Sequence, residues 1–153
     1  MRGRNRTRTL NLTAPWQEGD HTRNVREKIK EVIPRSILVA RALVLKTEGN
    51  LHFSAGDYSP ALPLYSEAIE MLEGAGQDAE LATILCNRSV AYLKLGQSAS
   101  ALTDAERAGA LSGGKAHYRR AEALSSMRRY DEALEAFEAA LAIAVSAPST
   151  VCS

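Results

Sequence analysis

The sequence offers almost nothing from which to build a covalent scaffold or a metal centre. Its 153 residues include two cysteines, Cys86 and Cys152, too few for a disulfide framework. Cys86 falls inside a helix-forming segment and reads as a small core residue, which suits a reducing cytosol. The histidines His21, His52 and His117 are scattered, and no cysteine joins them at ligand spacing, so no metal is expected. No apolar run is long enough to cross a bilayer. The most apolar stretch, 36–45, contains Arg41 and lies between Arg35 and Lys46, so no membrane span is expected. No secretory signal is visible at the start, and the glycosylation triplets at Asn5 and Asn11 have no sign of secretion beside them.

Catalytic signals are equally thin. Residues 109–116, from Gly109 through Gly114 and Lys115 to Ala116, spell most of a phosphate loop. Ala116 stands where a Ser or Thr would hold magnesium, and a helical rather than a strand pattern precedes it. Asp131 and Glu132 follow a turn and suit the start of a helix, where the dipole favours acids. No catalytic residue, cofactor or enzymatic activity is expected.

Charge divides the chain. Residues 1–40 hold nine Lys or Arg against four acids, whereas the remainder is net acidic. Arg2, Arg4, Arg6 and Arg8 precede the first acid, Glu18, so residues 1–24 read as a disordered basic arm. A solvated tail is the first reading; contact with nucleic acid or another acidic surface, and organelle targeting, are the alternatives. Arg at every second residue puts no basic stripe on one helical face, which argues against an amphipathic presequence, and no nucleic-acid partner is expected. Residues 25–40 form a lead-in. Val25, Ile29, Val32 and Ile33 suit a short helix ended by Pro34, with an apolar side able to cover the first repeat.

What the chain does have is repetition. Three segments, Leu45–Leu72, Ile84–Leu111 and Lys115–Ile143, align on a central turn. Gly56-Asp57-Tyr58, Gly96-Gln97-Ser98 and Arg128-Arg129-Tyr130 coincide. Ala61, Ala101 and Ala133 come next, then Tyr65, Ala105 and Phe137, then Ala68, Ala108 and Ala140. Steps of three and four place these residues on one helical face. The alanines let the second helix of each hairpin press against the first, and Tyr65 and Phe137 fill the gap between hairpins. Gly56 and Gly96 suit the left-handed end of a first helix. Helices are predicted over roughly 40–54, 58–72, 79–95, 98–111, 115–127 and 130–145.

This pattern resembles the tetratricopeptide repeat family over residues 41–145, with residues 146–153 left as a disordered tail. The resemblance implies an all-α, right-handed solenoid of three helical hairpins. Departures are Ser98 in place of the usual aromatic, Arg128 in place of the turn glycine, and no proline between repeats. The link through Gly74-Ala75-Gly76-Gln77-Asp78 is long, and that through Ser112-Gly113-Gly114 is short.

Five polar residues sit at matching places. Lys46 and Asn50 share a face of the first helix of the first hairpin. Asn87 lies on the first helix of the second, and Lys115 and Arg119 share a face of the first helix of the third. Taken singly, each is explained by ordinary solvation or a local hydrogen bond. Taken together, their ammonium, guanidinium and amide donors suit a ligand with two carboxylates close in space. The set is similar to the carboxylate clamp of tetratricopeptide co-chaperones, which holds the C-terminal Glu-Glu-Val-Asp of cytosolic heat-shock chaperones of the 70 and 90 kDa classes. That resemblance implies that Lys46, Asn50 and Asn87 hold the terminal carboxylate, that Lys115 meets the last Asp side chain, and that Arg119 meets a carbonyl or acid upstream. Val90, Leu93 and Lys94 are candidate groove contacts, with core packing the alternative for Val90 and Leu93. The expected function is a cytoplasmic adaptor. A scaffold for an unrelated partner, or the interaction fragment of a larger enzyme, is the alternative.

After Val145 too little chain remains for a further helix. Solenoids need a polar terminal cap, and Leu134, Leu141, Ile143 and Val145 have no evident cover. This reads as a fragment of a longer protein, or as a face covered by another chain, with self-association through the last hairpin as one outcome.

Overall fold

Side chains at three- and four-residue spacing demand helices, and the computed structural model consists of them. It describes residues 24–147 except 26 and 30, and no strand occurs among these. Most of the expected arm (1–24) and tail (146–153) lies outside the described residues. Residues 24–33 form one unit, helical at its described positions from 24 to 32. The second unit begins at Pro34 and carries six helices: α1 (Arg35–Ser54), α2 (Tyr58–Leu72), α3 (Asp78–Lys94), α4 (Ser98–Leu111), α5 (Gly113–Ser126) and α6 (Tyr130–Ser146). Consecutive helices pack as antiparallel hairpins, and the first helices α1, α3 and α5 also touch from one hairpin to the next.

The helix bounds match the sequence expectation closely except at the first. α1 begins at Arg35 rather than near residue 40. Pro34 caps it with a free carbonyl that accepts from the Ile37 and Leu38 amides. Leu38, Ala42, Leu45 and Gly49 then form one unbroken buried stripe. The segment 35–40 therefore belongs to the first hairpin and not to the lead-in.

Each hairpin turns by the same device. The amides of Asp57, Gln97 and Arg129 reach back to the carbonyls of His52, Tyr92 and Leu124. Those of Gly56, Gly96 and Arg128 bond to Phe53, Leu93 and Ser125. This paired closure needs a left-handed residue. Gly56 and Gly96 supply it freely, at φ 84° and 75°, but Arg128 adopts φ 61° despite its side chain, at a cost of about 1–2 kcal/mol.

The inner faces are made of small residues. Ala42, Ala61, Ala68, Ala101, Ala108 and Ala121 are all fully buried. Tyr65 is buried too, its ring lying against α1 of its own hairpin. Phe137 meets no further hairpin among the described residues. It meets Tyr118 edge-on at 5.6 Å between ring centroids and stays partly exposed. The short link between α4 and α5 is Ser112 alone, and Gly113 and Gly114 leave room for the Ile143 side chain. The phosphate-loop look-alike thus runs from the end of α4 into α5, with no strand before it.

A buried ion pair ties the two helices of the second hairpin together and reaches back to the first. Arg88 of α3 donates from Nε to Asp104 Oδ2 at 2.6 Å and from a terminal nitrogen to Asp104 Oδ1 at 2.7 Å. Its other terminal nitrogen donates to Ser66 Oγ of α2 at 2.8 Å. Burial works against the Arg88 charge, but the Asp104 hydrogen bonds and charge outweigh it and hold the guanidinium above its ordinary pKa. Asp104 is 3% exposed. Its replacement leaves a buried cation without its counter-charge. Asp104→Ala is expected to lower the unfolding free energy in urea by about 3–5 kcal/mol; a loss below about 0.5 kcal/mol, typical of an exposed surface site, contradicts this account.

Candidate peptide-binding groove

The groove is built from the first helices outward. Gly49 and Asn50 lie on the side of α1 that meets α2. A Cβ on Gly49 would stand 2.7 Å from the Tyr65 ring. The glycine therefore lets the ring lie flat against α1 and brings its hydroxyl to Asn50. Tyr65 Oη donates to Asn50 Oδ1 at 2.7 Å, and Asn87 Nδ2 donates to the same oxygen at 3.1 Å. Both lone pairs of that carbonyl are taken, so the remaining hydrogen-bonding capacity of Asn50 is its NH2 group, a donor. Burial raises the Tyr65 pKa, which keeps the phenol protonated and donating.

Asn50, Asn87 and Arg119 line one cavity of about 350 Å³ together with Phe53, Ser54, Tyr65 and Val90. Arg119 reaches it from α5. One of its terminal nitrogens donates to Glu122 Oε2 at 2.6 Å, and the guanidinium lies 5.5 Å from the Tyr118 ring centroid. Arg119 Nε is buried and has no hydrogen-bond partner among the described residues. An unpaired buried N–H is costly, and this one belongs to a residue that lines the groove.

The two lysines flank this centre differently. Lys46 is one turn before Asn50 on α1, and its Nζ donates to Glu80 Oε2 of α3 at 2.8 Å. Lys115, one turn before Arg119, is exposed and makes no ion pair among the described residues. Its charge still reaches Cys86 of α3, the residue before Asn87. Burial pushes the Cys86 thiol up, while Arg119 and then Lys115 pull it back and Asp104 adds to the rise. Of the other candidates, Val90 lines the cavity, one turn from Asn87. Leu93 is half-buried and falls off that face, and Lys94 is exposed at the last residue of α3; neither lines the cavity.

Four groove residues escaped the sequence reading: Gly49, Tyr65 in its hydrogen-bonding role, Glu80 and Glu122. A glycine in mid-helix was the available signal for a close approach, and Glu122 stands three residues from Arg119 on the same face. Nothing local joins Glu80 to Lys46.

Comparison with known proteins agrees with this fold. A family model, tetratricopeptide repeat, matches residues 114–144. The second tetratricopeptide domain of Spaghetti (RPAP3), solved bound to the HSP90 peptide SRMEEVD, superposes with a TM-score of 0.59 at 32% identity. The match covers 67% of this chain and 91% of that one. The chain belongs to the tetratricopeptide repeat family. It is therefore a protein-interaction module. The small glutamine-rich tetratricopeptide repeat-containing protein 2 of Mycosarcoma maydis is 38% identical over 102 residues, 65% of this chain and 27% of that protein. Mouse serine/threonine-protein phosphatase 5 is 36% identical over 123 residues, 79% of this chain and 23% of the enzyme. The chain thus spans about a quarter of the length of these two relatives. No helix among the described residues is long and apolar enough to cross a membrane, and no cluster of metal-ligating side chains occurs among them.

The fit of Tyr65 over Gly49 yields a prediction with a definite sign. In an open helix interior Gly→Ala stabilises by up to about 1 kcal/mol. Here the added methyl meets a ring that is 1% exposed and cannot step aside. Gly49→Ala is expected to destabilise by about 1–2 kcal/mol in thermal unfolding; a stabilised variant contradicts the close approach.

Proposed function

We propose that this module is an adaptor of the co-chaperone kind, working in the cytosol, whose groove takes the acidic C-terminal Glu-Glu-Val-Asp tail of a heat-shock chaperone of the 70 or 90 kDa class. The observation that carries this reading is the convergence of Asn50, Asn87 and Arg119 on one cavity. A donor-rich cavity of that kind has a use for carboxylates. The peptide held by the Spaghetti domain ends in the same acidic Glu-Glu-Val-Asp run. In this reading Lys46, Asn50 and Asn87 hold the terminal carboxylate, Lys115 takes the last Asp side chain, and Arg119 meets an upstream carbonyl or acid. Val90 offers the apolar contact.

The test is calorimetry with a Glu-Glu-Val-Asp-ended peptide and its C-terminally amidated form. The free acid should bind and the amide should bind far more weakly. Arg119→Ala should weaken the free acid by about 1.5–3 kcal/mol, the range for hydrogen bonds to charged groups. The fold should survive, because Arg119 is partly open to water. Equal binding by parent and variant removes Arg119 from the site, and equal binding of acid and amide removes the clamp.

A second reading concerns the far end of the stack. Leu134, Phe137, Leu141 and Val145 lie along one side of α6, with Leu141 65% and Val145 77% exposed. An apolar stripe of this kind favours association, and we infer that two copies meet through it. Sedimentation should find an assembly that strengthens with concentration and that Leu141→Glu disperses. A monomer at all concentrations contradicts it.

A further inference from the structure

Two of the three cations at the groove already hold a carboxylate of this chain. Glu80, at the start of α3, sits on Lys46 Nζ at 2.8 Å, and Glu122, one turn after Arg119 on α5, sits on its guanidinium at 2.6 Å. Both pairs are partly open to water: Lys46 and Glu80 side chains are 22% and 40% exposed, Arg119 and Glu122 24% and 32%. Neither pair is desolvated and bidentate as Arg88 with Asp104 is, so each can exchange its partner. Asp78 also lies in the first turn of α3, so that helix keeps an acid at its start without Glu80.

We propose that Glu80 and Glu122 are specificity-determining residues that occupy Lys46 and Arg119 in the free domain and must be displaced by the carboxylates of an incoming acidic peptide. This rests on the clamp reading above and assigns residues that reading does not use. A ligand with one carboxylate can displace only one resident acid. A ligand with a free C-terminus and upstream acids displaces both and gains both cations. The groove therefore discriminates by the number of carboxylates, and the resident acids set the threshold. Lys115, which makes no ion pair among the described residues, remains available for first encounter.

The size of the effect comes from the exposure of the pairs. A partly solvated ion pair leaves its cation free for a fraction of the time, and apparent affinity falls by that fraction, here roughly two- to sixfold for each pair. The peptides are one ending in Glu-Glu-Val-Asp, its amidated form, and one ending in Gln-Gln-Val-Asp. Glu80→Gln should strengthen both free-acid peptides by roughly two- to sixfold and leave the amide unimproved. Glu122→Gln should strengthen the Glu-Glu-Val-Asp peptide and not the Gln-Gln-Val-Asp one. In the unsubstituted domain, the Glu80 side-chain carboxyl carbon resonance should move on adding the free acid and stay in place with the amide, a readout that does not depend on a variant folding. Unchanged or weakened binding by both variants, or an unmoved Glu80 resonance in a domain that binds the peptide, overturns the displacement and leaves the clamp standing. Failure of every form of the domain to bind any free-acid peptide overturns the clamp and the displacement with it.

Discussion

The groove depends on how closely the two helices of the first hairpin approach. Small residues recur on the buried faces of α1 and α2. Ala42, Gly49, Ala61 and Ala68 are all buried. At Gly49 the approach is tightest, and the Tyr65 ring lies where a side chain would be. That single fit turns a packing residue into a polar one. The ring body fills the hairpin, and the hydroxyl reaches through to fix the Asn50 amide. A bulkier residue in place of Gly49 would cost stability and also release the carbonyl that orients the donor.

A second layer of organisation is electrostatic. Arg88 with Asp104 is desolvated and bidentate, and it ties α3 to α4 while touching α2 through Ser66. Such a pair fixes register more than it adds stability, because desolvation offsets most of the attraction. The pairs at Lys46 and Arg119 are wetter, so their partners can exchange. The module therefore keeps a rigid charge pair inside its second hairpin and exchangeable ones where a ligand would arrive.

Much of this was legible in the sequence, and the limits have physical causes. Helix bounds could be read from apolar spacing because each helix buries one continuous face. The turn glycines announced themselves through the left-handed geometry that Gly56 and Gly96 adopt, and Arg128 was found at the same place by alignment although its side chain disfavours it. Asn50, Asn87 and Arg119 were picked out by spacing and meet in one cavity. The start of α1 was misjudged because the repeat pattern ends before the helix does; the stripe from Leu38 continues where the family resemblance stops. Among the described residues Phe137 packs on Tyr118 of its own hairpin and not on a further one. The resident acid on Lys46 was invisible because its partner is 34 residues away, and only the stacking of α3 against α1 brings the two together.

The unequal links between hairpins carry a mechanical consequence. Between α2 and α3 the chain passes through residues 73–77, with Gly74 and Gly76 both left-handed and nothing pressing on either. Between α4 and α5 it passes through Ser112 alone, with Ile143 wedged against Gly113 and Gly114. The last two hairpins are thus joined by a short, filled link, and the first two by a longer, open one. Inside the groove the polar contacts from the second hairpin to the first are Asn87 to Asn50 and Glu80 to Lys46. Width adjustment, should a bulkier ligand require it, would fall on that side, with the Asn50–Asn87 bond as the latch that has to open first.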